Sequence, residues 1–459
     1  MADRLPGGAL TITKLRVNIM DAPQVQSLER MTMRQITWRL LPFLMLCYFV
    51  SYIDRINVGF AALQMRGELK LTAQHFGLGA SLFLITYCLF AVPANTALRR
   101  FGPRRWIASM MVVWGSLAMG MALIEGPYSF YGFRLLLGAA EAGFLPGVIY
   151  YIARWFPKEY RAGISALFLV AIPASSFVGA PLSGTLMQLH GWHGLSGWQW
   201  LFLLEGLPAV LLAGCCLRVL PDTPAEAHWL SVGGRDWLIA RLEHESRDHK
   251  AVGRMSVWQT LRSGPVLTLC LTYSGVISVG ISLSLWQPQI INGFGLNTLQ
   301  NGLLSSVPFG LATVAMVIWG RRSDKHNERT WHTAIPLALS GMALAASPFV
   351  DSLAGTILIL SLALIGTYAA KGPFWAMVTQ WLPAERAATG IAVVSAMGGL
   401  SASITTYLLG AISASTGSFT LALMPLVVLA ALGTAALFLA NAGKSTCSLK
   451  ACEAGKSKC

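Results

Sequence analysis

The chain has 459 residues, of which 54% are hydrophobic and only 12% are charged. Soluble domains are about 45 to 50% apolar and about 25% charged, so this composition excludes an ordinary water-soluble fold. The formal net charge is +14, but the basic residues stand in short gaps between apolar runs, whereas a nucleic-acid-binding protein gathers them on a polar face. Basic gaps of this kind are typical of loops that face an anionic membrane surface.

Twelve apolar runs, bounded by Arg, Lys, Gly and Pro, are long enough to cross a bilayer. A hydrocarbon core of about 30 Å requires roughly 20 residues of helix. The predicted spans cover residues 37–60, 75–98, 105–125, 128–152, 161–187, 198–220, 264–293, 300–320, 331–350, 353–380, 386–411 and 418–441. The sequence therefore predicts an all-α polytopic membrane protein with twelve transmembrane helices.

A densely charged polar stretch divides these spans into two groups of six. We predict a cytoplasmic N-terminal tail, an N-terminal six-helix bundle, a central cytoplasmic loop, a C-terminal six-helix bundle and a cytoplasmic C-terminal tail. These units cover residues 1–36, 37–220, 221–263, 264–441 and 442–459.

Basic residues set the predicted orientation. Most Lys and Arg lie in the tails, the central loop and the loops that join even to odd spans, whereas Arg66 and Lys70 stand on the opposite side. By the positive-inside bias, both termini are cytoplasmic. We expect a monomeric integral protein of a bacterial inner membrane, whose partners are the lipid bilayer and small solutes, and not nucleic acid.

A basic turn follows the second span at 99–105 and recurs after the eighth span at 320–325. This recurrence indicates two parallel six-helix repeats. In transporters built in this way, the substrate site lies between the halves near the membrane midplane.

Among the charged residues inside predicted spans, five are the best candidates for a functional role. A charge near the bilayer centre costs at least about 2.5 to 3.5 kcal/mol, so the charges that remain usually face a cavity and have a role. Those residues are Asp54, Arg55, Arg134, Glu141 and Lys371.

Chemistry suggests distinct roles for these charges. The planar fork of an arginine suits a substrate carboxylate, so we predict substrate binding by Arg55 and Arg134 and proton coupling by Asp54 and Glu141. Arg134 and Glu141 are seven residues apart, about 10 Å along one helix face, and can look into the same space. The alternative is a set of fixed helix-to-helix ion pairs, and for Lys371 a long stem that reaches the interface.

Aromatic and polar residues supply further candidates for the lining of the site. The tenth span contains Lys371-Gly372-Pro373, which predicts a helix break, and breaks are tolerated where protein or a cavity satisfies the freed backbone. The candidates are Phe374, Trp375, Tyr87, Ser395 and Trp286. Interfacial anchoring is the alternative for each Trp.

Over residues 37–441 the chain resembles the major facilitator superfamily. It resembles in particular the anion:cation symporter branch, which includes permeases for tartrate, phthalate, hydroxyphenylacetate and sugar acids. Arg134, Gly138 and Gly143 have the superfamily spacing on the fourth span. The other matching strings are YIDRINVGFAA at 52–62, AEAGFLPG at 140–147, GWQWLFLLEG at 197–206 and GPFWA at 372–376.

The resemblance implies carboxylate symport with protons and carries roles onto matching residues. The branch's aspartate, its two arginines and its glutamate match Asp54, Arg55, Arg134 and Glu141, and its second-span tyrosine matches Tyr87. The chain departs from the branch at Ser395 and Gly399, where relatives commonly carry asparagines, and at Lys371. An added cation at Lys371 favours a dicarboxylate.

The two basic turns are expected to act as gating loops. The residues singled out are Arg99, Arg100, Gly102, Arg104, Gly320 and Asp324. The first turn lacks the acidic residue of the superfamily pattern, whereas the second retains Asp324.

The sequence therefore predicts a secondary active transporter that imports a small organic acid anion, aromatic or hydroxy/dicarboxylate, by proton symport and alternating access. No cofactor or metal is expected, and the coupling ion is the proton. Three alternatives stay open: a proton-antiport exporter of a drug or metabolite, a membrane-embedded enzyme, and a sensor that has lost transport. The histidines lack ligand spacing, which argues against an enzyme.

Overall fold

The computed structural model describes residues 22–248, 263–382 and 384–455. Side chains are described within these ranges except at 22–25, 99, 162, 166, 246–248, 384–388 and 442–455. Throughout the described chain the regular structure is helical, with no strand. This agrees with the all-α membrane fold predicted from the apolar runs.

The six spans of the N-terminal half follow the predicted order. The fourth and fifth spans each consist of two consecutive helices. The helices are Ala22–Glu68, Ala73–Phe101, Pro103–Gly120, Pro127–Glu141 with Phe144–Trp155, Lys158–Leu169 with Ala171–Leu186, and Gly197–Val219.

The C-terminal half repeats this count of six. Its helices are Gly264–Asn292, Thr298–His326, Thr330–Ala345, Leu353–Trp381, Ala384–Thr416 and Met424–Gly455, the last preceded by the short helix Phe419–Ala422. In the described ranges, eleven segments are long and apolar enough to cross a membrane. The ninth span is the shorter one, and a 3-10 turn, Ser347–Phe349, follows its helix.

Proline explains why the fourth span is broken. Its first helix ends at Glu141 and its second begins at Phe144. Pro146 has no N–H to donate to the carbonyl four residues earlier, so the helix cannot run through unchanged. The carbonyl oxygen of Gly143 accepts the backbone N–H of Gly147 at 3.1 Å and the indole Nε1 of Trp106 at 3.0 Å, so the third span is hydrogen-bonded to the chain at the break. The break thus places Glu141 at a helix end inside the bundle.

The break predicted in the tenth span is wrong. The helix Leu353–Trp381 continues through Lys371, Gly372 and Pro373. A single proline removes one backbone hydrogen bond, and neighbouring spans can hold such a helix together in a membrane protein. The tenth span packs along both the eighth and the ninth, which supplies that support.

The central loop contains a helix that the sequence analysis did not predict. Val232–Asp248 lies beside the first helix, which begins within the predicted N-terminal tail. Salt bridges join it to the fifth span: Arg241 Nη2 lies 2.6 Å from Glu159 Oε1, and Arg161 Nη2 lies 3.0 Å from Glu245 Oε2. The described part of the loop is therefore attached to the N-terminal half.

The two halves meet along the second and eleventh spans and along the fifth and eighth. Close approach is possible because glycines face each other, Gly77 against Gly410 and Gly184 against Gly302. Arg66 Nη1 also donates to Gln289 Oε1 across the halves at 2.6 Å. All these contacts lie toward the end of the bundle where the first span finishes.

The halves separate toward the opposite end, which carries the basic turns. Cys88 on the second span still lies against Gly399 on the eleventh. One helical turn further, Val92 is 74% exposed and Ser395 is exposed. The bundle is therefore closed at one end and open at the other.

Candidate functional site

A cavity lies between the two halves, on the basic-turn side of the contacts that close the bundle. Four spans line it: the first, second and fourth of the N-terminal half and the seventh of the C-terminal half. Its lining residues are Tyr52, Arg55, Ile56, Phe83, Leu84, Arg134, Ile281, Ser284 and Leu285. The lining is mainly apolar, and two arginines interrupt it.

Arg55 forms an ion pair with Glu141 at this cavity. Nε and Nη2 of Arg55 donate to the same carboxylate oxygen, Oε2 of Glu141, at 3.1 and 2.7 Å. The Glu141 side chain is 1% exposed, whereas that of Arg55 is 18% exposed. The guanidinium carbon also lies 4.7 Å from the ring centroid of Tyr87. Arg55 therefore presents the accessible part of the pair to the cavity, with Tyr87 beside it.

Arg134 is more deeply buried and less compensated. It is 1% exposed, and its guanidinium carbon lies 4.4 Å above the ring of Phe83. Within the described chain its Nε has no hydrogen-bond partner, and no carboxylate lies within salt-bridge distance. A buried donor without a partner is costly, so Arg134 is a ready donor for an anion that enters the cavity.

Asp54 points away from the cavity. Its Oδ2 accepts a hydrogen bond from Trp114 Nε1 at 2.9 Å, and its Oδ1 has no partner in the described chain. The side chain is 5% exposed. Adjacent helical residues point about 100° apart, which is why Asp54 faces the third span while Arg55 faces the cavity.

Lys371 lies at the C-terminal side of the same region. Its Nζ is 3.8 Å from the ring centroid of Tyr368, and the described residues give it no salt bridge. Tyr368 interacts with Tyr52 and Ser284, both of which line the cavity. Gly280 of the seventh span lies beside Lys371, since a Cβ at that position would be 3.7 Å from Nζ. The ammonium group is thus one aromatic ring away from the cavity and free of an acidic partner in the described chain.

Three of the four aromatic candidates, all except Tyr87, lie outside the cavity in this conformation. Phe374 is fully buried and stacks on Tyr273, with ring centroids 5.1 Å apart, and Trp375 meets the same ring edge-on at 5.0 Å. Trp286 is also fully buried, 5.0 Å from the ring of Phe76, at the closed end of the bundle. Their predicted contact with substrate would require a rearrangement.

The first basic turn obtains an acidic partner from elsewhere in the chain. Gly102 has φ of 79° between the second and third spans, and the backbone N–H of Arg104 donates to Asp222 Oδ1 at 3.2 Å. The Arg104 side chain donates to the carbonyl of Leu217. Arg100 is exposed, and the side chain of Arg99 lies outside the described residues. Asp222 was missed because it follows the sixth span, far from the turn in sequence.

The second basic turn is held by local contacts. Asp324 Oδ1 accepts from Arg329 Nη1 at 2.7 Å, and open space surrounds Gly320. Glu328 accepts the backbone N–H groups of Trp331 and His332 at 2.7 and 3.0 Å. Although burial opposes it, hydrogen bonds from the His332 ring and these two N–H groups hold the pKa of Glu328 below its usual range.

Sequence reasoning also missed a third buried carboxylate, in addition to Asp54 and Glu141. Glu205 on the sixth span is 4% exposed, and its Oε1 accepts a hydrogen bond from Ser183 Oγ at 2.7 Å. Its Oε2 has no partner in the described chain. The available signal was a lone carboxylate in an otherwise apolar run, within the GWQWLFLLEG string.

Comparison with known proteins agrees with this architecture. The Major Facilitator Superfamily model matches residues 44–406. A protein of Agrobacterium vitis named "Putative tartrate transporter" is 43% identical over 392 residues, which cover 85% of this chain and 90% of that protein. The "Quinolone resistance transporter" of Acinetobacter baumannii is 37% identical over 391 residues, which cover 85% of this chain and 90% of that protein.

A solved structure has the same fold at low sequence identity. The bacterial homologue of the human lysosomal transporter Spinster, in an inward-facing and occupied conformation, superposes with a TM-score of 0.71 at 17% identity. The superposition covers 88% of this chain and 96% of that one.

Proposed function

Because the chain belongs to the Major Facilitator Superfamily, we propose that this membrane transporter imports a small organic acid anion together with protons, by alternating access to its central cavity. The observation that carries the proposal is the ion pair between Arg55 and Glu141, which lies at the cavity beside the unpaired donor of Arg134. The arginines can bind an anion, and the Glu141 carboxylate next to them can bind a proton.

The ion pair supplies a means of coupling. In the absence of substrate, the Glu141 carboxylate occupies the guanidinium fork of Arg55. A proton that binds Glu141 removes its charge and releases the fork, which then binds a substrate carboxylate through charge-assisted hydrogen bonds. If Glu141 stayed ionised, the incoming anion would lie next to a like charge in a poorly hydrated cavity, which is unfavourable. Substrate and proton therefore bind together.

Charge at the cavity favours a dianion. Arg55, Arg134 and Lys371 contribute three positive charges and Glu141 one negative charge, so the site has a net charge of about +2 while Glu141 is ionised. Lys371 has no salt bridge in the described chain and stands apart from the two arginines, which suits a second carboxylate. The relative named for tartrate supports a hydroxy dicarboxylate as the substrate class.

Alternating access fits the way in which the halves meet. The contacts between the second and eleventh spans and between the fifth and eighth close one end, and small residues allow them to form and part. Rocking of one six-helix repeat against the other would open that end and close the basic-turn end around the same cavity. The open end is the cytoplasmic one if the positive-inside bias holds.

The test is uptake into proteoliposomes that carry the purified protein under an imposed inward proton gradient. Tartrate, phthalate, hydroxyphenylacetate and hexonates are compared with and without a protonophore. We expect one acid to accumulate and the accumulation to collapse with the protonophore. If no acid accumulates at any gradient, import by proton symport is refuted.

The Glu141→Gln variant tests the coupling step in the same vesicles. We expect it to keep exchange of labelled for unlabelled substrate but to lose accumulation, by about tenfold per unit of pH gradient for each proton lost. Glu159→Gln is the matched control, because Glu159 pairs with Arg241 on an exposed surface. Full accumulation by Glu141→Gln would remove Glu141 from the coupling role.

An exporter is the second candidate, because a relative of similar identity is named for quinolone resistance. The same vesicles distinguish the two functions. Faster release of a preloaded organic cation under a proton gradient, without accumulation of any acid, would favour the exporter.

A further inference from the structure

Glu205 lies in a buried polar cluster on the side of the first span that faces away from the cavity. The cluster consists of Asp54, Asn57, Ser183 and Glu205, from the first, fifth and sixth spans. Each is at most 5% exposed. Asp54 and Asn57 are three residues apart and therefore share one face of the first helix. The cluster is distinct from the ion pair at the cavity, and nothing in the proposed coupling step uses Glu205.

The hydrogen bonds of this cluster are incomplete. Asp54 Oδ1, Glu205 Oε2 and both polar atoms of the Asn57 amide lack hydrogen-bond partners in the described chain. The Asn57 amide faces the Glu205 carboxylate without completing a bond of good geometry. Trp114 and Ser183 supply one donor each, to Asp54 and Glu205 respectively. The two carboxylates therefore have four oxygen atoms between them, but only two of these oxygens accept a hydrogen bond in the described chain.

An ionised Glu205 has no cation to compensate it. The described chain places no Lys, Arg or His within salt-bridge distance of it, since Arg55 is engaged by Glu141. The groups that bear on it from the packed elements are Asp54 and Asn57 of the first span and Ser183 of the fifth. Because an unpaired charge inside a membrane is costly, Glu205 holds a proton in this conformation.

Asp54 connects this carboxylate to the site of coupling. It lies within electrostatic reach of both Glu205 and Glu141, so a charge on Asp54 affects each glutamate and is affected by it. Trp114, which donates to Asp54, also meets Phe144 edge-on with centroids 4.8 Å apart. Phe144 begins the helix that follows the break after Glu141. A shift of the fourth span at this break would therefore reach Trp114 and the cluster behind it.

We propose that Glu205 is a third proton-binding carboxylate of the transport cycle, in addition to Asp54 and Glu141, and that it binds and releases one proton per substrate. The proposal rests on proton-coupled import. It has a consequence for charge movement. A dianion accompanied by two protons moves no net charge, whereas a third proton makes each cycle carry one positive charge inward and respond to the membrane potential.

The test is the number of protons that move per substrate in proteoliposomes, obtained from the pH gradient at which net flux stops under a fixed substrate gradient with the membrane potential clamped at zero. We expect Glu205→Gln to move one proton fewer than the wild-type protein. Glu159→Gln is the matched control, since it makes the same change at an exposed carboxylate that pairs with Arg241, and it should move the wild-type number. An unchanged number in Glu205→Gln overturns the proposal and assigns Glu205 a packing role.

Two further readouts keep the test decisive. If the wild-type protein itself shows no proton-driven uptake, the proposed function fails before Glu205 is at issue. A flux-reversal point that moves with the Na⁺ gradient and not with the pH gradient would make the cluster a Na⁺ site and would also refute proton binding. Should Glu205→Gln not fold, infrared difference spectra on addition of tartrate replace it. Ser183→Ala must then shift one carboxylic-acid band relative to the wild-type protein, and the absence of a shift refutes the proposal.

Discussion

At the scale of single residues, the cavity brings together three cations that differ in how they are compensated. Glu141 engages Arg55 through two donors, whereas Arg134 has Phe83 beneath it and an unpaired Nε. Lys371 packs on Tyr368. Under the proposed function, we expect Arg55 to take part in the coupled exchange, Arg134 to attract the anion throughout the cycle and Lys371 to discriminate among anions.

Replacement of Lys371 by Gln tests that discrimination. We expect the apparent affinity for a dicarboxylate to fall by about 10- to 100-fold, the value of one charged hydrogen bond, while a monocarboxylate of similar size is affected little. Competition against labelled substrate in proteoliposomes measures both. Lys70→Gln is the control, because Lys70 is exposed in the loop at the closed end. Equal losses for mono- and dicarboxylates would contradict a role for Lys371 in selecting the second carboxylate.

At the scale of helices, prolines act differently according to their surroundings. Pro146 lies next to a break that puts Glu141 at a helix end, where Trp106 donates to the Gly143 carbonyl. Pro373 lies in an unbroken helix of 29 residues. The difference follows from packing, because neighbouring spans support the tenth span along its length. The N-terminal half therefore has a helix break directly after Glu141, whereas the tenth span runs unbroken past Lys371.

Another helix end carries a pH-dependent contact. Glu328 accepts two backbone N–H groups at the start of the ninth span and the ring of His332. Since its pKa lies below the usual range in the folded protein, its contribution to stability is present at neutral pH. That contribution is lost as the pH falls through the folded-state pKa.

We therefore expect Glu328→Gln to lower the melting temperature of the purified protein at neutral pH, by an amount that corresponds to about 1 kcal/mol for a lost helix cap. The difference from the wild-type protein should shrink at acid pH. Asp351→Asn, at an exposed site before the tenth span, is the control. A difference that persists unchanged into acid would show that the carboxylate charge contributes nothing.

At the scale of the whole molecule, tight packing of small residues closes one end of the bundle. A Cβ added at Gly302 would lie against the backbone of Ala180, Pro181 and Gly184 on the other half. Gly302→Val should therefore disfavour this closed end by about 1 to 3 kcal/mol, the usual range for overpacking. The population should shift toward the conformation in which the halves part there.

The shift can be measured as the distance between two spin labels by pulsed electron paramagnetic resonance. The labels are placed at positions 70 and 297, in exposed loops of the two halves at the closed end. The native cysteines are replaced first. We expect a longer distance in Gly302→Val than in the parent protein. Gly214→Val is the control, because nothing lies within 4 Å of a Cβ at that position. An unchanged distance would mean that this glycine contact does not limit opening.

The sequence by itself determined the membrane class, the order of twelve helical segments and the family. Apolar runs of about 20 residues can be satisfied only by membrane helices, so length and composition decide the outcome without tertiary information. It also located the intramembrane charges, because their cost makes them conspicuous in an apolar run. The four sequence strings that resemble anion symporters all lie within residues 44–406, the region that the family model matches.

Only the tertiary structure decided which charges meet. Sequence spacing put Arg134 and Glu141 on one face, but Glu141 pairs with Arg55, 86 residues away. Asp222 joins the first basic turn for the same kind of reason, and Glu205 stands out only once its lack of a cation is visible. Which side chains pair between two helices depends on how whole spans rotate and pack against each other. The local sequence around one residue does not specify that arrangement.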